Sequence, residues 1–107
     1  METKFNFKSQ ICTDKNQSER LLALGLKKET ADCCYYYYDG EYLIAFAEDA
    51  KYPSDIPAWS LHRLIEIVAQ TQYPYYVISK ELPIYDAICE RIEWLNKEGY
   101  FNKEYLV

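Results

Sequence analysis

The spacing of apolar residues changes period several times along this chain, and each change predicts an element. "KFNFKSQI" alternates, with Phe5, Phe7 and Ile11 on one side and Lys4, Asn6, Lys8 and Gln10 on the other. A period of two predicts a short strand or an extended lead-in over residues 4–11. "TDKNQSERLLALGL" then reads as a helix. Thr13 or Asp14 can cap its free N–H groups, Asp14 and Gln17 have capping-box spacing, and Ile11 is placed to staple the start. Leu21, Leu22 and Leu24 supply apolar contacts. Gly25 is the expected left-handed residue that ends the helix, with Leu26 folding back onto it.

After the polar connector "KKETAD" comes "CCYYYYDGEYLIAF". Asp39-Gly40 is a two-residue hairpin signal, because a type I′ turn needs positive φ at both positions. That loop sets the register: Tyr38 faces Glu41, Tyr37 faces Tyr42, Tyr36 faces Leu43, Tyr35 faces Ile44, Cys34 faces Ala45 and Cys33 faces Phe46. Directly opposed residues share a face. One face carries Cys33, Tyr35, Tyr37, Tyr42, Ile44 and Phe46. The other carries Cys34, Tyr36, Tyr38, Glu41, Leu43 and Ala45. The first has more apolar bulk and no charge, so it is expected to look inward.

"AEDAKYPSDIP", acidic and with two prolines, reads as a loop. "WSLHRLIEIVAQ" is the clearest helix. Ser60 is its natural N-cap, and Trp59 with Leu64 forms a hydrophobic staple. Leu61, Leu64, Ile65 and Val68 make a core-facing stripe, with His62, Arg63, Glu66 and Gln70 on the other side. "YPYYVIS" reads as a further strand, with Pro74 at its start or on a sheet edge. "LPIYDAICERIEWLNKEG" is a last long helix, with Pro83 in its first turn and Ile84, Ile88, Ile92 and Leu95 on one face. Gly99 ends it, and Phe101 and Leu106 of the tail are expected to pack on the body.

This order predicts one α+β domain over residues 1–107. Its small antiparallel sheet comprises the hairpin plus one or two further strands. About three helices pack mainly on one face, in two layers. A chain of 107 residues fits one modest core. Twelve tyrosines suit a thin domain, since tyrosine buries a ring and keeps its hydroxyl wet.

Charge narrows the functional classes. Residues 1–32 hold six Lys/Arg and five Asp/Glu, while residues 33–107 hold six and twelve. The only basic cluster is Lys27-Lys28, which argues against duplex DNA as a partner. No apolar run is long enough to span a membrane, and "METKFNFKSQIC" lacks the apolar stretch of a signal peptide. A cytoplasmic location and reduced thiols at Cys12, Cys33, Cys34 and Cys89 are therefore expected.

Little chemistry is written in the motifs. Adjacent strand residues point to opposite faces, so Cys33 and Cys34 cannot easily share one ion, and no metal site or cofactor is expected. His62 is the single imidazole, and nothing in the sequence brings a cysteine to it; its spacing to Glu66 gives a surface pair. No nucleophile elbow, Walker loop or dinucleotide fingerprint occurs. The expectation is a protein without enzymatic activity. The tyrosines offer a surface instead: Tyr36, Tyr38, Glu41 and Leu43 are the candidate partner face. Tyrosine is enriched at interface hot spots, and acidic flanks suit a basic protein partner. Bases of a single-stranded nucleic acid could stack there too, although that mode wants a basic groove. The hairpin also offers a way to join two copies of the chain.

"SERLLALGLKKETAD", "IPAWSLHRLIEIV" and "ICERIEWLNKEGYFNKEYL" together resemble segments of small uncharacterised proteins encoded in phages, prophages and mobile elements of gut bacteria. The resemblance spans most of the chain, and the tyrosine hairpin and acidic loop are its least family-like part. It implies a cytoplasmic accessory protein of a mobile element, with a host protein as a candidate target. It carries over no catalytic or binding residue.

Overall fold

A computed structural model describes residues 10–47, 55–71 and 83–107. Of the expected strand over residues 4–11 only Gln10 and Ile11 are described, and neither is in a strand; "YPYYVIS" lies outside the described residues. Among them the order is α1 (Lys15–Ala23), β1 (Cys33–Tyr38), β2 (Glu41–Phe46), β3 (Ile56–Ala58), α2 (Leu61–Ala69) and α3 (Ile84–Lys97). The fold is α+β: a three-stranded antiparallel sheet of order β2-β1-β3 combined with three helices.

Local chemistry sets most boundaries. Asp14 caps α1 by accepting from the Gln17 N–H, while the Gln17 side chain accepts from the Asp14 N–H, a complete capping box. Gly25, at φ +96°, closes α1: its own N–H reaches the Leu22 carbonyl, and the Leu26 N–H reaches that of Leu21. Those two bonds satisfy carbonyls that the helix leaves free. Ile11 does not staple this start. It is exposed, and Cys12 is the buried residue there.

The hairpin has the register expected from its turn, from Tyr38↔Glu41 to Cys33↔Phe46. Asp39 (φ 50°) and Gly40 (φ 84°) both occupy the left-handed region that a type I′ turn requires.

β3 corrects the loop reading of "AEDAKYPSDIP": Ile56, Pro57 and Ala58 form a strand beside β1. Proline is tolerated there for a geometric reason. Bonded pairs alternate along an antiparallel ladder. The two-residue turn makes Tyr38 and Glu41 a bonded pair, so Tyr38, Tyr36 and Cys34 turn their backbone groups toward β2. Cys33 and Tyr35 turn theirs toward β3. Pro57 lies opposite Cys34, so its missing N–H points away from β1 and no ladder bond is lost.

The main core lies among the helices. Leu21 of α1, Leu64, Ile67 and Val68 of α2, and Tyr85, Ile88, Cys89, Ile92 and Leu95 of α3 pack around Trp59, with Phe101 of the tail. Ile84 is a correction, because it is exposed. The buried stripe of α3 is centred one position later, so Tyr85 and Cys89 take the place given to it. Pro83 is likewise the N-cap of α3 rather than part of its first turn. The tail closes the body as expected: Leu106 bridges to Leu26, and the Lys27 N–H donates to the Tyr105 carbonyl at 2.7 Å. No helix among the described residues is long and apolar enough to cross a membrane.

Candidate functional site

Trp59 fixes the sheet to the helices. Its backbone N–H donates to Thr13 Oγ1 (3.0 Å), its carbonyl accepts from the Thr13 N–H (2.8 Å), and its indole N–H donates to Thr30 Oγ1 (2.9 Å). Thr13 Oγ1 also shares a hydrogen bond with Ser18 Oγ at 2.8 Å. The segment Cys12–Thr13 is thereby held against β3 and β1, where Cys12, Cys33 and Ala58 form a second buried cluster with Tyr35 beside it. Tyr35 lies between the two: its hydroxyl donates to the Thr13 carbonyl (2.9 Å) and lies 3.5 Å from Cys12 Sγ. Burial raises the pKa of the Tyr35 phenol, with the Cys12 thiol adding to it.

This cover stops at the middle of the sheet. On the face expected to look inward, Cys33 is buried and Tyr35 half-buried. Tyr37 is 65% exposed, Tyr42 47%, Ile44 43% and Phe46 68%. The inward assignment therefore fails for the β2 side and the turn end of β1. The physical reason is reach: the residues that cover this face sit over β1 and β3, and at the turn end Lys15 reaches Tyr42 from the solvent side of α1. Its ammonium lies 3.6 Å from the centre of the Tyr42 ring, a cation–π contact. Tyr37 meets Tyr42 edge to face, with ring centres 5.2 Å apart. An open cleft of about 470 Å³ lies between Tyr35, Tyr42 and the start of α1 at Asp14, Lys15 and Asn16.

The opposite face holds the four candidate partner residues as two cross-strand pairs, Tyr36↔Leu43 and Tyr38↔Glu41. Tyr38 and Glu41, beside the turn, are exposed, and Tyr36 and Leu43 are half-buried. Cys34 and Pro57, further along this face, are buried. The hairpin is thus covered at the base of β1, open at Phe46 on the base of β2, and bare on both faces at its tip.

The remaining chemically suggestive residues have structural partners. Ser60 caps α2 by accepting from the Arg63 N–H (3.1 Å), and its own N–H (2.8 Å) and hydroxyl both donate to Asp32. A carboxylate there also complements the positive end of the helix dipole. His62 pairs with Glu66 at 3.5 Å on the open side of α2. All four thiols are buried. Burial, then the Asp32 charge, pushes Cys33 up to about 12. Burial pushes Cys89 to about 12 despite the opposing Arg20 charge. Nucleophilic attack needs thiolate, which such groups scarcely supply at neutral pH. Among the described residues no group of three or more His, Cys, Asp or Glu converges as a metal site would require.

One further surface cluster lies on and beside α3. On α3 the Arg91 guanidinium lies 4.5 Å from the centre of the Trp94 ring, and Trp94 packs on Tyr100 at 5.8 Å. The i, i+3 spacing of Arg91 and Trp94 is its signal in the sequence. Comparison with protein-family models, with curated proteins and with solved structures returned no match.

Proposed function

We propose that this chain is a small non-enzymatic binding protein whose target is another protein, engaged through the tip of the hairpin. The observation that carries the reading is the bare tip. Tyr37 and Tyr38 are 65% and 67% exposed on opposite faces of one strand end, and the acidic Glu41 adjoins them. Two large amphipathic rings beside a two-residue turn contribute contact area at low entropic cost, and tyrosine is a favoured anchor at interfaces. The acidic balance of residues 33–107 favours a partner with a basic surface. The likeness to mobile-element proteins suggests a host protein as that partner and the cytoplasm as the place of encounter.

The test is an affinity capture from bacterial lysate with wild-type and Tyr38→Ala baits. The expected outcome is a reproducible partner that wild type retains and the folded variant loses. Fluorescence titration with labelled oligonucleotides at low salt completes it. Micromolar, salt-sensitive binding there, with no protein captured, would replace this reading with single-stranded nucleic-acid recognition.

A further inference from the structure

Among the described residues the two outer strands of the sheet are built differently. β3 is a three-residue strand containing Pro57, and a short edge with a proline resists further pairing. β2 has six residues in unbroken register with β1, no bulge, no proline, and one charge, Glu41, at the turn end. Among the described residues it has β1 on one side and no strand on the other. Among the described residues it has no bulge, proline or covering element to blunt this edge.

Its backbone polarity can be read from the turn. Glu41, Leu43 and Ala45 form the bonded pairs with β1, and the Ala47 N–H continues the series by donating to the Asp32 carbonyl at 3.1 Å. Tyr42 and Ile44, and the N–H of Phe46, therefore point out of the sheet edge. These are the same residues whose side chains are exposed on the half-covered face. Among the described residues, backbone groups turned away from β1 and exposed apolar side chains coincide at alternate positions of one strand.

We infer that β2 pairs antiparallel with β2 of a second copy, about a twofold axis that passes midway between the two Ile44 residues. Two strands related this way must keep each face on its own side, so opposed residues must have the same parity. Centring on Ile44 sets Ile44 against Ile44 of the second copy and Tyr42 against Phe46. Every outward-pointing residue then meets another, whereas centring on Leu43 would leave Phe46 opposite Gly40. The result is a continuous six-stranded sheet of order β3-β1-β2-β2-β1-β3.

The area agrees with a reversible dimer. Tyr42, Ile44 and Phe46 leave roughly 300 Å² exposed per copy at the surface such side chains carry. Both copies, with the backbone edges and the flanking Leu43 and Ala45, come to about 1,000 Å², near the lower bound for a specific interface. The two turns point in opposite directions in this dimer, so it presents two hairpin tips. The inference rests on the edge alone and holds whether or not the tips bind a protein.

The register makes a sharp test, carried out on the full chain. Analytical ultracentrifugation of wild type is expected to show a monomer–dimer equilibrium with a dissociation constant on the order of tens of micromolar. Ile44→Lys places two ammonium groups together at the axis and is expected to weaken association at least tenfold, with an unchanged circular dichroism spectrum. Should that variant unfold, cysteine cross-linking decides. Ile44→Cys is expected to give a covalent dimer under mild oxidation with oxidised glutathione, because the axis brings the residue against itself. Phe46→Cys is expected to stay monomeric, because four residues of strand, about 13 Å, separate it from its copy. A wild-type chain that remains monomeric at several hundred micromolar would overturn the inference, as would Phe46→Cys cross-linking as readily as Ile44→Cys.

Discussion

The two strands that flank β1 show how differently one sheet can be finished at its sides. β3 has three residues and a proline, yet its Pro57 and Ala58 are buried because the neighbouring Trp59 anchors the strand: Thr13 bonds both the N–H and the carbonyl of Trp59, and the indole enters the helical core. β2 has twice the length and a continuous ladder, yet its Tyr42, Ile44 and Phe46 stay exposed. Ladder bonds alone do not bury a strand. Burial here follows the side chains that tie the helical layer to one half of the sheet.

The largest expected effect tests the anchored half. Trp59 is 0% exposed, and removing a buried aromatic ring costs about 3–5 kcal/mol. Trp59→Ala should therefore lower the unfolding free energy in urea by about that amount, a large share of a small domain's stability. Thr13→Val keeps the volume and deletes the hydroxyl that serves the Trp59 N–H and Ser18. It should cost about 1–3 kcal/mol, the penalty for unsatisfied buried polar groups. A loss below a few tenths would mean that Trp59 holds β3 without Thr13.

The covered half also carries an acid–base signature. Burial raises the Cys33 thiol to about 12, so the folded state holds its proton more tightly than the unfolded chain does. A raised pKa contributes stability that is complete below the ordinary thiol range and is lost as pH climbs through the folded value. Urea denaturation at a series of pH values should show stability falling between about 9 and 12, and Cys33→Ala should reduce that slope.

The smallest expected effect lies on the open half. Phe46→Ala should change stability by no more than about 0.5 kcal/mol, the usual range for exposed positions. A loss of about 2 kcal/mol or more would place Phe46 in a packed environment and remove the contrast between the strands.

Much of this fold was legible in the sequence because its signals are local. Asp39-Gly40 specifies a turn that fixes every pair of the hairpin, and Asp14 with Gln17 and Ser60 with Arg63 set two helix starts within four residues. What the sequence concealed depends on distant partners. Alternation assigns Tyr37 and Tyr42 to the face of Cys33 and Tyr35, but it cannot say that Cys12 and Thr13 will cover only the β1–β3 side. Pro57 disguised β3 as loop, because its tolerance depends on which edge of β1 it meets. At the candidate site the same limit appears. Alternation and the turn place Tyr36, Tyr38, Glu41 and Leu43 on one face, as the register has them, while the difference in exposure between the turn pair and the pair behind it arises from tertiary packing.

The boundary of the covered half falls between Tyr35 and Tyr37, two residues apart on one strand and one face. Paired urea denaturation of Tyr35→Ala and Tyr37→Ala measures that boundary directly. Tyr35 is half-buried and its hydroxyl donates to the Thr13 carbonyl, so its loss should cost at least ~2 kcal/mol. Tyr37 is exposed, and its loss should stay within about 0.5 kcal/mol. Equal costs for the two would contradict the account, because the helical layer would then reach the whole face or none of it.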